Sequence, residues 1–434
     1  MSSRTVKALR AAFSPLQIRD LRIYLSGQAV SLIGTWLQIT AQGWVVWELT
    51  RSATALGIVA MLGTFPILLL GPWAGVWADR VDRRRLLIFT QVGAMASAFA
   101  LAILLQTRTI QLWHVYVIST VLGLFTAADI PAQQAFLGDL SGMREVRKAV
   151  NLNSMIIQVS RMIGPALAGF IIGVWGSAPA FWLNGLSFLA VIASLISVRA
   201  SQVRSPKGSD SFRELKKGVR FLRGNPRIQD LMTFVVLLTF LVFPVINIFP
   251  AFVGEVLDGD AQTLGYLLAA SGAGALLGTI LVVPLAQTVR RPGVAVAGAT
   301  IWMGLWLLAF SWTVSLTMSM VSIFLVSLAA PTVFTTALGL VQILASPEMR
   351  ARLVSLFVTV SFGTQPFASL LIGYSADWFS TPTAILLNGL FLIGGGVLML
   401  VFRPELRSWQ VSQEEAVSAI SLNTDSTNRS QSAT

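Results

Sequence analysis

The sequence predicts an all-α membrane protein of twelve transmembrane helices with both termini in the cytoplasm. Three observations carry that expectation. Of 434 residues, 55% are hydrophobic and only 12% are charged, about half the charge of a soluble domain. Apolar runs of roughly 20 residues, the length that crosses a bilayer, recur along almost the whole chain. Lys and Arg gather on one side of those runs.

The spans are expected at 22–49, 53–78, 85–106, 112–138, 149–175, 178–199, 227–253, 262–287, 293–312, 315–343, 352–376 and 383–403. The first follows Arg4, Lys7 and Arg10 and is too long for a cleaved leader, so it is expected to stay as a helix. It is also polar: Gln28, Ser31, Thr35, Gln38 and Gln42 recur on roughly one face, which should turn away from lipid. Trp44 and Trp47 read as an interfacial aromatic belt, with Glu48 beside them at the outer mouth. The second span is Gly-rich and ends in Ala78-Asp79-Arg80; Arg83, Arg84 and Arg85 complete a charged turn before the third. The fourth opens at His114, read as interfacial, and contains Asp129 and Pro131. The fifth contains Arg161 and Gly164-Pro165, read as a kink because proline removes a backbone donor. Phe243 and Asn247 lie in the seventh, and Pro331 and Phe334 in the tenth. The eleventh begins after Arg350-Ala351-Arg352, and the twelfth ends before Pro404.

With the N-terminus inside, about 28 of the 31 Lys and Arg fall on the cytoplasmic side. Arg51 and Arg108 fall outside, and Arg161 lies within a span. This asymmetry accounts for the net charge of +12 without any nucleic-acid partner. The longest polar stretch divides the chain into an N-terminal segment 1–21, a six-helix bundle 22–199, a basic linker 200–226, a second bundle 227–403 and a disordered cytoplasmic tail 404–434. Within the linker, Phe212, Leu215, Val219 and Leu222 share a helical face expected to lie on the membrane surface. The bundles echo each other: Leu56-Gly57 matches Leu264-Gly265 at an offset of 208, and Leu183-Asn184-Gly185-Leu186 matches Leu387-Asn388-Gly389-Leu390 at 204. Such a register suggests an internal repeat.

Asp129 and Arg161 are the charges placed deepest, about 13 Å and about 16 Å from the cytoplasmic ends of consecutive helices. Charges at such depth should be paired or face a wet cavity. Two readings stay open: a structural ion pair, or a pair that responds to protons or substrate. The Gly-x-x-x-Gly spacings at Gly71, Gly169 and Gly274 read as helix-packing positions. There is no cysteine, no His/Asp/Glu cluster with metal spacing and no Gly-Lys-Ser/Thr loop, so no metal, cofactor, nucleotide or catalytic site is expected.

Gly75-x-x-Ala78-Asp79-Arg80-x-x-Arg83-Arg84 resembles the loop between helices 2 and 3 of the major facilitator superfamily. Asp129-Ile130-Pro131-Ala132-Gln133-Gln134, Asn151-Leu152-Asn153-Ser154, Arg161 through Gly169 and the central-loop residues Glu214 to Phe221 resemble the branch of the enterobactin exporter and related drug or metabolite exporters. The resemblance implies a major facilitator fold of two pseudo-repeated six-helix bundles. It implies proton-driven export, by a monomer in the bacterial cytoplasmic membrane, of a small amphipathic molecule: a siderophore, drug or metabolite. It implies a latch in which Asp79, with Gly75, Arg80 and Arg83, meets the start of helix 11; a solvated loop charge is the alternative. It places a central cavity among helices 1, 4, 7 and 10, with Gln38, Gln42, Asp129, Asn247, Phe243 and Phe334 as candidates. Asp129, Arg161 and Glu48 are the candidate proton or charge-pair residues. An importer, a lysolipid flippase or a non-transporting sensor of the same fold remain alternatives.

Overall fold

The computed structural model describes residues 14–198, 218–287, 289 and 291–405, with the side chains of 74–80 among those left aside. Most of the linker and tail expectations therefore lie outside the described residues, as do the side chains of Gly75, Asp79 and Arg80.

The described chain is helical throughout and contains no strand. Its long helices are α1 (Arg19–Thr50), α2 (Ala53–Arg80) and α3 (Arg83–Gln106), then α4 (Leu112–Gly142) and α5 (Lys148–Trp175). They continue with α6 (Ala178–Ser197), α7 (Pro226–Glu255), α8 (Ala261–Ala286), α9 (Pro292–Ser311), α10 (Leu316–Leu344), α11 (Arg352–Phe379) and α12 (Thr381–Phe402). Among the described residues, 11 helices are long and apolar enough to cross a membrane. The one left out is α1, although it runs for 32 residues: the glutamines and serines of its polar face lower its hydropathy.

Local chemistry sets the turns. Helices α4 and α5 form one run broken at Gly142, whose φ of 69° and ψ of 167° suit a residue without a Cβ. Asp82 caps α3 by accepting from the Arg85 N–H at 3.0 Å, and Asp260 caps α8 by accepting from the Thr263 N–H at 2.9 Å; each satisfies a donor the helix start leaves open. His114 accepts the Gln111 N–H at 3.0 Å at the start of α4. The helix runs through Pro165. Two later helices change their winding: a π turn at Leu238–Val242 and a 3-10 stretch at Phe243–Ile248 in α7, and a π turn at Gly278–Val282 in α8.

Helix α1 packs against α6 and the α4–α5 run, α3 against α6, α9 against α10 and α12, and α8 against α10. The first six helices meet the last six chiefly through α5 with α8 and α2 with α11. Glycine makes both contacts. A Cβ on Gly57 would strike the Ser369 carbonyl, and one on Gly373 would sit 2.5 Å from the Ala53 carbonyl. A Cβ on Gly265 would sit 2.7 Å from the Pro165 carbonyl and 2.9 Å from Cα of Gly169. The repeat relates the two contacts: Gly57 maps to Gly265 at the offset of 208, and Gly169 to Gly373 at 204. Both lie near the end of the bundle whose loops carry only Arg51 and Arg108, the Arg-poor end. The opposite, basic end carries the Arg83–Arg85 turn.

Two expectations change here. Trp44 and Trp47 are not a belt; they are 7% and 2% exposed, inside the main apolar cluster. The ends of α1 and α7 approach so closely that the Trp47 ring lies against Gly254. The exposed tryptophans near the Arg-poor end are Trp113, Trp175, Trp312 and Trp378. The described part of the linker, residues 218–223, is helical, and its Val219 and Leu222 pack on the cluster around Ile228 and Leu231.

Candidate functional site: a polar cavity between the two sets of helices

A cavity of about 550 Å³ lies between the first six and the last six helices. Leu56 and Leu264 line it, each next in sequence to a contact glycine, so the two glycine contacts flank the cavity at the Arg-poor end. Its wall draws on α1, α2, α3, α4, α6, α7, α8 and α11.

The polar face of α1 turns into this space, as its spacing required. Gln38 accepts a hydrogen bond from Asn184 at 2.7 Å, and Gln42 donates to Ser119 at 2.8 Å. Across the cavity, Asn247 donates to Ser369 at 2.9 Å, and Phe243 supplies apolar surface. The irregular stretch of α7 carries both Phe243 and Asn247.

Asp129 is the one charged side chain among the described lining residues. Its Oδ1 accepts from Thr90 at 2.6 Å and from Gln91 Nε2 at 3.0 Å. Donation to the carboxylate fixes the orientation of the Gln91 amide. That leaves Gln91 Oε1 in the wall without a partner, as is Gln28 Oε1. An unpaired buried acceptor is costly.

The structure does not bring Asp129 and Arg161 together. The Arg161 guanidinium lies 5.5 Å from the centre of the Trp36 ring on α1, a cation–π distance, and no ion pair joins it to Asp129 among the described residues. Similar depth on consecutive helices did not fix which way each side chain points. Trp36 lines the cavity and Arg161 does not. Phe334 also differs from expectation. It packs edge to face on Phe357 at 5.1 Å, α10 contributes nothing to the described lining, and Gln365 and Ser369 of α11 stand there instead. Gly164 packs on α1, where a Cβ would meet Trp36 and the Ile33 carbonyl. Glu48 accepts from the Trp44 ring N–H at 2.8 Å, outside the cavity.

Two ion pairs at the basic end escaped the sequence reading. Arg83 Nη1 meets both carboxylate oxygens of Asp139 at 2.8 Å, tying α3 to α4 with both side chains nearly buried, at 7% and 5% exposure. Arg403 meets Asp230 at 3.3 Å, tying the end of α12 to the start of α7. Neither acid has a local sequence signal. Each partner lies on a distant helix, and only the fold pairs them.

These features define a multi-pass helical membrane protein with a cavity between its two sets of helices. Residues 10–429 match the model of the family described as transmembrane secretion effector, and the chain belongs to that family of major facilitator transporters of the bacterial cell membrane. It is 26% identical over 384 residues to macrolide efflux protein A of Streptococcus pyogenes, covering 85% of this chain and 92% of that protein. It is 25% identical over 261 residues to the staphyloferrin A transporter of Staphylococcus aureus, covering 60% of this chain and 66% of that protein. It is 23% identical to the multidrug efflux pump Tap of Mycolicibacterium fortuitum, covering 88% and 95%. In fold it is similar to a bacterial homologue of the human lysosomal transporter Spinster in an inward-facing, occupied conformation, with a TM-score of 0.69 at 14% identity, covering 92% of this chain and 99% of that one. The nucleoside transporter NupG gives a TM-score of 0.67 at 12% identity, covering 90% and 100%.

Proposed function

We propose that this transporter exports a small amphipathic organic molecule, a drug, siderophore or other metabolite, by alternating access driven by the proton gradient. The observation that carries the reading is the cavity itself. It is walled by helices of both sets, flanked at one end by backbone-close glycine contacts, and has one acid among its described lining residues, hydrogen-bonded in a polar wall. The macrolide and multidrug efflux relatives support export. The basic end is read as cytoplasmic, which gives twelve spans with α1 included and both termini inside. The protein acts as a monomer.

In this reading Asp129 is the proton carrier, and substrate or a helix shift disturbs its bonds to Thr90 and Gln91. Asp79 latches the cytoplasmic end of α2 to the start of α11, favoured by the positive end of that helix dipole. Arg83 also supports the turn through Asp139. The test is transport in inside-out vesicles across a panel of macrolides, other drugs and siderophores. Export reads as uptake into the vesicle lumen that collapses with an uncoupler. Movement only in the opposite direction, or insensitivity to the uncoupler, would contradict direction or coupling respectively.

A further inference from the structure

At the Arg-poor end the start of α2 is completed by a residue from the other set of helices. Asp377, near the end of α11, accepts the Ala53 N–H at 2.7 Å and the Thr54 N–H at 2.9 Å. It also accepts the Ser52 hydroxyl at 2.5 Å. Ser52 Oγ in turn accepts the Ala55 N–H at 3.2 Å. Three backbone donors that a helix start leaves open are thus satisfied, two of them by a carboxylate more than 300 positions away in the chain. A few residues on, Gly57 and Gly373 let the same helices touch. If α2 and α11 part at this end, all three bonds to Asp377 break and a negative charge leaves the positive end of a helix.

We propose that Asp377 is a clasp that stabilises the state closed at the Arg-poor end and open at the basic end. The inference rests on the alternating-access reading above. It makes α2 and α11 a seesaw with one carboxylate on each helix, at opposite ends. Asp377 of α11 caps α2 when one end is shut, and Asp79 of α2 serves α11 when the other end is shut. The two caps compete, so the balance between them sets the resting conformation.

The chain has no cysteine, so a labelled pair can be introduced without background. Thr109 and Val314 are exposed, in loops of opposite sets at the Arg-poor end. Spin labels on Thr109→Cys and Val314→Cys in the full-length protein in nanodiscs report the separation of that end. The parent should populate mainly the short distance. Asp377→Ala should raise the ratio of long to short distances about ten-fold, the scale on which loss of one helix cap acts. Ser52→Ala should shift it the same way but less, and Asp79→Asn should shift it the opposite way. An unchanged distribution in a monodisperse Asp377→Ala protein overturns the clasp. If that variant does not fold, Asp377→Asn and Ser52→Ala are read in its place, and no shift in either overturns it equally. Distances that respond in a protein that moves no compound would sink the transport reading and keep the clasp; fixed distances with intact transport would do the reverse.

Discussion

The two ends of the α2–α11 pair are held together differently. At the Arg-poor end the helices meet backbone to backbone at Gly57 and Gly373, under a cap shared through Asp377. Toward the basic end, among the described residues, side chains make the contact: Phe65 and Phe367 meet edge to face at 6.4 Å, a Cβ on Gly363 would sit 3.0 Å from the Leu68 side chain, and one on Gly71 would find open space. Two polar links described at that end lie within each set of helices, Arg83 with Asp139 and Arg403 with Asp230. A contact made by glycine faces is close but has no interlocking side chains. It can part and re-form without repacking a core, which is what one side of an alternating gate requires. In the proposed cycle the internal ion pairs hold neighbouring helices of each set together.

That contrast predicts a graded set of effects. The largest belongs to Arg83→Ala, which strands a nearly buried Asp139 carboxylate and should cost about 3–5 kcal/mol of stability. Arg403→Ala should cost clearly less, because Arg403 is half exposed and water can take its place. Equal losses in thermal unfolding would show that burial is not what distinguishes the pairs.

Gly57→Leu and Gly265→Leu should each reduce transport roughly 100-fold, the upper range of overpacking a tight contact, while leaving the protein inserted. The repeat makes them equivalent, so a wide difference between them in vesicle transport would break the symmetry of the two glycine contacts. Asp79→Asn, acting at the other end of α2, should cut transport at least about ten-fold, the effect of a lost cap. Normal rates from a well-expressed variant would remove the latch.

Within the cavity, Phe243→Ala should weaken substrate binding about ten-fold, as expected for lost apolar contact. Phe334→Ala, behind the wall, should change it by less than about two-fold. Equilibrium binding of a radiolabelled substrate to the purified variants separates them. The smallest effect concerns Asp129→Asn and Arg161→Gln. Without a shared contact their stability changes should add within about 0.5 kcal/mol; a double variant more stable than that sum would mean that the pair forms in another state.

What the sequence revealed and what it did not follows from the range of the signal. Span lengths, the charged turns and the polar face of α1 are local patterns, and the helices and the inward-facing Gln38 and Gln42 follow from them. The glycines of Leu56-Gly57 and Leu264-Gly265 were visible as a repeat, and Gly169 as a packing position, but which glycine meets which was not, because contact across sets depends on how helices tilt. Depth along a helix placed Asp129 and Arg161 at one level but did not fix rotation about the axis, so Arg161 turned to Trp36. Phe334 went to the core for the same reason. The tryptophans of α1 followed composition into a predicted belt, whereas packing against α7 buried them. Asp139, Asp230 and Asp377 have no local motif, and each takes its role from a helix far away in sequence.

The central claim is that the acid in the cavity couples substrate to protons. Asp129→Asn tests it most directly, with substrate counterflow and pH-driven export measured side by side in the same proteoliposomes. The account predicts that counterflow of substrate persists while the response to an imposed pH gradient disappears. Undiminished pH-driven export by the Asn variant would contradict it and assign Asp129 a purely structural place beside Thr90 and Gln91.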